Sequence, residues 1–210
     1  MNLQITSDFI CPWCWIGESN LDRALSETGL DDSVQVHFVP YQLNPDMPTQ
    51  GMNRRDYRTA KFGSWARSQA MDAQVTQAGV AAGLVFNYER IEKTPNTFAA
   101  HRLVWRQQQA GVDARPLVRE IFRAYFALGL DIGEPAVLAD IASAFNYDRE
   151  DTLRFLASSE GVAELAREQA EARRAGVQSV PSIRIDEQML SGAQPVSVFA
   201  QVLKTVTRFL

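Results

Sequence analysis

The sequence predicts an α/β fold in which one sheet domain, built from both ends of the chain, is interrupted by a large all-helical insertion. Three observations predict it: an opening strand–helix–strand, a long middle with helical periodicity alone, and a closing strand–strand–helix. In the opening, residues 2–8 alternate, with Leu3 and Ile5 on one side and Gln4 and Thr6 on the other, the period of a half-buried strand. Cys11-Pro12 then opens a helix, where the missing proline N–H has no partner to lose. Leu21, Ala24, Leu25 and Thr28 recur at helical spacing, and Gly29 is the stop. Val34, Val36 and Phe38 alternate with Gln35 and His37 as a second strand. Two strands flanking a helix are expected to pair in parallel through a right-handed crossover.

From Asn44-Pro45 to about Gly176 the pattern is helical. Val118, Ile121, Phe122, Tyr125 and Phe126 form one apolar stripe. Val137, Leu138, Ile141 and Phe145 form another after Pro135, and Val162, Leu165, Ala166 and Gln169 a third. Ala100, Leu103 and Val104 indicate a helix after Pro95-Asn96, with Asn96 or Thr97 as its cap. The stretch 52–85 carries a weaker pattern and reads as one or two helices. Strand character returns at Ile183 and Ile185. Asp186-Glu187 turns it into Met189-Leu190 as a hairpin, and Pro195 opens a last helix. The expected division is 1–50 with 177–210 for the sheet domain and 51–176 for the helical insertion; such a discontinuous domain needs only that the ends of the insertion lie close together.

The chain has 210 residues, 46% of them hydrophobic and 22% charged, enough for a real core without staples. The net charge is −4 with no block of like charges, which argues against nucleic acid as a partner. The opening MNLQITSDF has no basic region, long apolar run or cleavage site of a secretory signal, and no run reaches the length of a membrane span. A cytoplasmic protein with no membrane partner is expected, and its oligomeric state is left open.

Chemistry concentrates at Cys11 and Cys14, the only two cysteines. A disulfide scaffold would spread more cysteines along the chain. The thiolate is the attacking species in disulfide exchange, and thiols at helix starts fall from about 8.5 into roughly the 3.5–7.5 range. The free N–H groups of the helix start favour such a charge at Cys11. Cys14, one turn later, is expected beneath it. An exposed attacker over a buried resolver is what exchange through a mixed disulfide requires. Pro12 and Trp13 set the stiffness between the two sulfurs, and Trp13 either offers an apolar rim to a peptide or to glutathione or simply packs. Trp15 is expected to pack. Zinc would need ligands beyond this pair, and His37 and His101 are too scattered, so no metal is expected. Val180-Pro181 stands just before the strand at Ile183, where the residues by themselves favour an ordinary trans turn.

SDFICPWCWIG at 7–17, YQLNPDMP at 41–48, TPNTFAAHRL at 94–103, FRAYFALGLDIG at 122–133, SVPSIRID at 179–186 and LSGAQP at 190–195 occur in order along nearly the whole chain. This set resembles the DsbA-like branch of the thioredoxin fold, and within it the FrnE-like subgroup. The resemblance implies a thioredoxin-like sheet domain carrying a helical lid over the active site. It implies that Pro181 is a cis-proline facing the CPWC motif, with Val180 offering its backbone to an extended substrate. The same superfamily contains glutathione-dependent isomerases of 2-hydroxychromene-2-carboxylate, which replace the first cysteine by serine. This chain keeps both.

Two departures stand out. Arg184 interrupts an otherwise apolar strand, which implies a wet face or, less in keeping with the pattern, an anionic site. The second cysteine pair of some relatives, near the C-terminus, is missing. Asp8 matches the SD pair of the family, and a carboxylate there can take the proton of Cys14; the alternative is a turn cap. His101, in the block that resembles the lid, is a candidate to face Cys11 or a substrate carboxylate, or to be a helix histidine bonded to a carbonyl. His37 is expected to be structural.

The expected activity is thiol–disulfide exchange on a protein or small thiol, with Cys11 as nucleophile and Cys14 as resolving cysteine. No cofactor is expected beyond the redox-active pair, with glutathione as a candidate co-substrate. The alternatives are a glutathione-dependent isomerase or transferase of the same fold and a non-catalytic client-binding chaperone. Direction is not written in the motif, because oxidases, reductases and isomerases share it and the poise of the compartment decides.

Overall fold

The computed structural model describes residues 1–31 and 33–207. The chain opens with β1 (Leu3–Ser7), α1 (Pro12–Thr28) and β2 (Val36–Pro40). It continues through β3 (Met52–Asn53), α2 (Arg54–Phe62), α3 (Trp65–Ala81), a 3-10 turn at Tyr88–Arg90 and β4 (Lys93–Thr94). Then come α4 (Phe98–Gln109), α5 (Arg115–Phe126), α6 (Pro135–Ser143), α7 (Arg149–Ala157) and α8 (Val162–Arg174). It closes with β5 (Ser182–Ile185), β6 (Gln188–Ser191) and α9 (Val196–Thr207).

The central sheet has the order β2-β1-β5-β6. β1 runs parallel to β2, with Leu3 opposite Val36 and Ile5 opposite Phe38. β5 returns antiparallel on the other side of β1, setting Ile185 opposite Leu3 and Ile183 opposite Ile5. These six side chains share one face and all are buried, as the strand period requires. α1 and α9 pack together, and α9 meets β5. The other face is wetter. Gln4, Thr6, His37, Ser182 and Arg184 line a cavity there, closed by Glu168 and Glu171 of α8. Arg184 thus lies on the wet face that its place in the sequence implies, and burial holds the His37 pKa below its ordinary value. The β2 edge is finished by a side chain. Gln108 of α4 accepts from the Phe38 N–H at 2.6 Å and donates to the Phe38 carbonyl at 3.1 Å.

Two features depart from the expected helical block. The β3–β4 ladder has only two residue pairs, Met52–Thr94 and Asn53–Lys93, too short to leave a period in the sequence. α7 was not among the expected helices; its signal is Asp148, whose side chain accepts from the Asp151 N–H at 2.8 Å as a cap. Gly29 does stop α1, in the left-handed conformation at φ 70°.

α1 is tied to the helical block by aromatic packing. Trp15 stacks on Phe126 (centroids 5.9 Å apart, planes 12° apart) and meets Phe86 edge-on at 5.0 Å. Gly79 of α3 gives Phe86 its place, because a Cβ there would lie 2.5 Å from the ring. One turn beyond Cys14, α1 also buries Glu18, which is 1% exposed. Neither carboxylate oxygen has a hydrogen-bond partner among the described residues. Burial pushes the Glu18 pKa well above the usual carboxylate range, and the Asp22 charge adds to this, while Arg119 and Arg115 pull it back.

Trp15→Ala is expected to cost about 3–5 kcal/mol in urea denaturation, the range for a truncated core aromatic, and a loss under about 1 kcal/mol would contradict this packing. Glu18 gives a pH-dependent expectation. The native carboxyl keeps its proton where an unfolded glutamate, of pKa about 4.3, has lost it. The native state therefore binds more protons, and stability, complete below the unfolded pKa, falls as pH rises toward the native one. Glu18→Gln is expected to remove that slope, so that the variant gains on the wild type between about pH 4 and about pH 7.5. An equal difference at both pH values would contradict the buried acid.

Candidate active site

β1 delivers the chain to the site and a single turn starts the helix. The Asp8 carbonyl accepts from the Cys11 N–H at 3.0 Å, and the Cys11 carbonyl accepts from the Cys14 N–H at 3.0 Å. Cys11 is the N-cap of α1, extended at φ −93° and ψ 108°, with Pro12 in the first helical turn. Its side chain makes no cap hydrogen bond, so the sulfur stands at the positive end of the helix dipole without serving as a cap.

Both cysteines are free thiols. Cys14 is fully buried, and Cys11 is 6% exposed. The expected exposed attacker is therefore recessed, because the helical block covers it; Cys11 opens into a cavity instead of bulk solvent. Burial pushes the Cys14 thiol well above its ordinary pKa, and the hydrogen bond and charge of Cys11 add to this. A backbone hydrogen bond from Asp8 pulls the other way. The pair is thus asymmetric: one sulfur at a helix start beside a cavity, the other in the core and held as a thiol.

The Val180-Pro181 peptide bond is cis, as the resemblance implies and the residues alone did not. The Cys11 Sγ–H donates to the Val180 carbonyl at 3.7 Å. The loop sits tight against α1, since a Cβ on Gly17 would lie 3.1 Å from Pro181 Cγ. The Pro181 carbonyl accepts from Gly192 N–H at 2.8 Å, anchoring the loop to the turn after β6.

Asp8 is fully buried. Its Oδ2 accepts from the Leu43 N–H at 2.7 Å, and its Oδ1 lies 3.3 Å from His101 Nε2. His101 also packs on Phe9, with ring centroids 4.9 Å apart. The structure thus brings His101 to Asp8, and among the described residues no hydrogen bond joins it to the Cys11 sulfur. The Asp8 carboxylate thus holds the distant Leu43 loop instead of capping a local turn, and its charge adds to the upward push on the Cys14 thiol.

The cavity beside Cys11 has a volume of about 200 Å³. Pro12 and Trp13 form one side, and Trp13 is 42% exposed. α2 and α3 form the other, with Arg54, Tyr57, Arg58, Lys61 and Asp72 among the lining residues. These polar residues are absent from the sequence-based candidates. The signal was there in RRDYRTAK, with basic residues at 54, 58 and 61 on one helical face, but a stretch judged by its apolar period does not reveal it. Among the described residues, no cluster of three or more histidine, cysteine, aspartate or glutamate side chains can hold a metal ion.

Several known structures share this architecture. A probable DsbA oxidoreductase from Streptomyces coelicolor superposes with a TM-score of 0.88 at 28% identity, covering 98% of this chain and 89% of that one. A 2-hydroxychromene-2-carboxylate isomerase gives 0.76 at 13% identity, covering 99% and 97%. The cytosolic disulfide reductase DsbM from Pseudomonas aeruginosa gives 0.70 at 19% identity over the whole of both chains, and its structure with GSH gives 0.69. At such identities the last two share the fold alone. No curated protein matches the chain. No helix is long and apolar enough to cross a membrane, among the described residues. The DSBA-like thioredoxin domain family matches residues 2–204, and with the CPWC helix start and the cis-proline loop on one sheet, the chain belongs to that family.

Proposed function

We propose that the protein is a thiol–disulfide oxidoreductase that works through Cys11 and Cys14. The observation that carries this reading is the asymmetry of the pair: Cys14 is fully buried and held as a thiol, whereas Cys11 heads a helix beside a cavity. The Cys11 thiolate attacks a substrate disulfide, forms a mixed disulfide and expels one thiolate. Cys14 then loses its proton and attacks the Cys11 sulfur. The second thiolate leaves, and the pair is oxidised by the two electrons the substrate has gained. Run backwards, the same steps oxidise a dithiol.

The Val180 carbonyl and Pro181 flank Cys11 where an extended thiol substrate can lie along the loop. Trp13 gives that substrate an apolar edge. Glutathione is a fitting partner, given the neighbour crystallised with GSH, and the cytosol named for that neighbour is the compartment we assign. Cys14 needs a proton acceptor at the resolving step, because burial holds its thiol protonated. Asp8, backed by His101, is the acceptor whose charge reaches it.

Cys11→Ser is expected to abolish turnover of glutathione disulfide, and Cys14→Ser to trap mixed disulfides visible by mass spectrometry. Full redox activity in Cys11→Ser would overturn the mechanism. Activity on an organic electrophile that survives loss of both sulfurs would favour the isomerase reading. Asp8→Asn keeps an oxygen for the Leu43 N–H but loses the base. It is expected to slow resolution by about 10²-fold or more in rapid-quench experiments while the first attack proceeds. Unchanged resolution would remove Asp8 from the mechanism.

A further inference from the structure

The cavity beside Cys11 has a charge that opposes the rest of the molecule. The chain carries −4 overall. The cavity is lined by three cations, Arg54, Arg58 and Lys61, against the single carboxylate of Asp72. All three cations lie on α2 at spacings that put them on one helical face. Arg54 and Arg58 share Asp72, through Oδ2 at 2.7 Å and Oδ1 at 2.8 Å. One carboxylate therefore balances two guanidinium groups.

Arg54 is 4% exposed, and its bond to Asp72 is its one side-chain hydrogen bond among the described residues. A guanidinium has five N–H donors, so most of this buried fork is left for a ligand. Lys61 is held at the mouth by Asn44 Oδ1 at 3.0 Å and the Tyr57 hydroxyl at 2.6 Å. Arg54 and Asp72 are buried together, Arg58 is half-buried and Lys61 is exposed, so the surplus positive charge lies toward the mouth of the cavity, where an anion can reach it. Ile10, Leu43, Met71 and Val75 supply the apolar remainder of the lining. The volume of about 200 Å³ suits a small molecule better than a length of polypeptide.

We propose that the α2 face of this cavity is a carboxylate seat, so that the preferred substrate of Cys11 is a small acidic thiol or its disulfide. The inference rests on exchange at Cys11 and names its substrate class. The acid of the ligand binds at Arg54, Arg58 and Lys61, its aliphatic part lies on the apolar wall, and its sulfur meets Cys11.

Calorimetry with S-methylglutathione and with its dimethyl ester tests this without any redox step. The free acid is expected to bind about tenfold or more tightly than the ester, and added salt should narrow the gap. Arg58→Gln/Lys61→Gln, which leaves the buried Arg54–Asp72 pair in place, is expected to remove most of the preference. Equal affinities, no binding of either compound, or a preference that persists undiminished in the folded double variant would overturn the seat. So would an acidic cysteine peptide that outcompetes the small acid. The redox reading fails separately: a charge preference in a protein whose cysteines exchange with nothing would sink the oxidoreductase and keep the seat. A working dithiol that is blind to ligand charge would sink the seat alone.

Discussion

The site depends on where the first turn of α1 is held. A helix start polarises a sulfur only if the sulfur cannot swing away from it, and here the turn is pinned on two sides. On one, Trp15 is buried among Phe86, Phe122 and Phe126, which ties the helix to the helical block. On the other, Gly17 lets Pro181 approach so closely that a methyl group at Gly17 would crowd it. Aromatic contacts of this kind each add about 0.5–1.5 kcal/mol beyond the burial itself, so several together far outweigh thermal energy. With the turn fixed, the positions of Cys11 over the cavity and of Cys14 in the core follow.

The same packing sets the electrostatics. The wall that holds Trp15 also excludes water from Cys14, and exclusion keeps that thiol protonated. It also recesses Cys11 into a cavity whose far wall is cationic. The two sulfurs lie one turn apart on the same helix, yet their surroundings differ in solvent access, charge and neighbours. In the proposed mechanism, the division of labour between these identical side chains arises from burial. Charge is felt most strongly where water is thin, so the α2 cations near the site count for more than charges on the open surface.

Much of this was legible in the sequence, and what was not has physical reasons. The strand periods read at residues 2–8 and at Val34–Phe38 and the stop at Gly29 are local signals; the structure places the strands at Leu3–Ser7 and Val36–Pro40, the second starting and ending two residues later than its period, and ends the helix at Gly29. The CPWC motif points to the proposed chemistry because its two cysteines stand one helical turn apart. The cis bond before Pro181 came only through resemblance, since proline composition alone favours trans. The pairing of His101 with Asp8, across 93 positions of sequence, is a tertiary fact with no local trace. The recess of Cys11 is of the same kind, because the covering residues come from α2 and α3. The cationic face of α2 was visible as a spacing, but only the fold shows that it looks toward a sulfur.

The most direct test of the central claim is the redox equilibrium of Cys11 and Cys14 in a series of glutathione buffers, read by tryptophan fluorescence. Trp13 and Trp15 flank the sulfurs and report the change. The account predicts one reversible two-electron transition, with the equilibrium shifting tenfold for about each 30 mV, and its loss when either cysteine is replaced. The absence of a transition at any poise would mean that the two sulfurs form no usable disulfide, and the oxidoreductase account would be wrong.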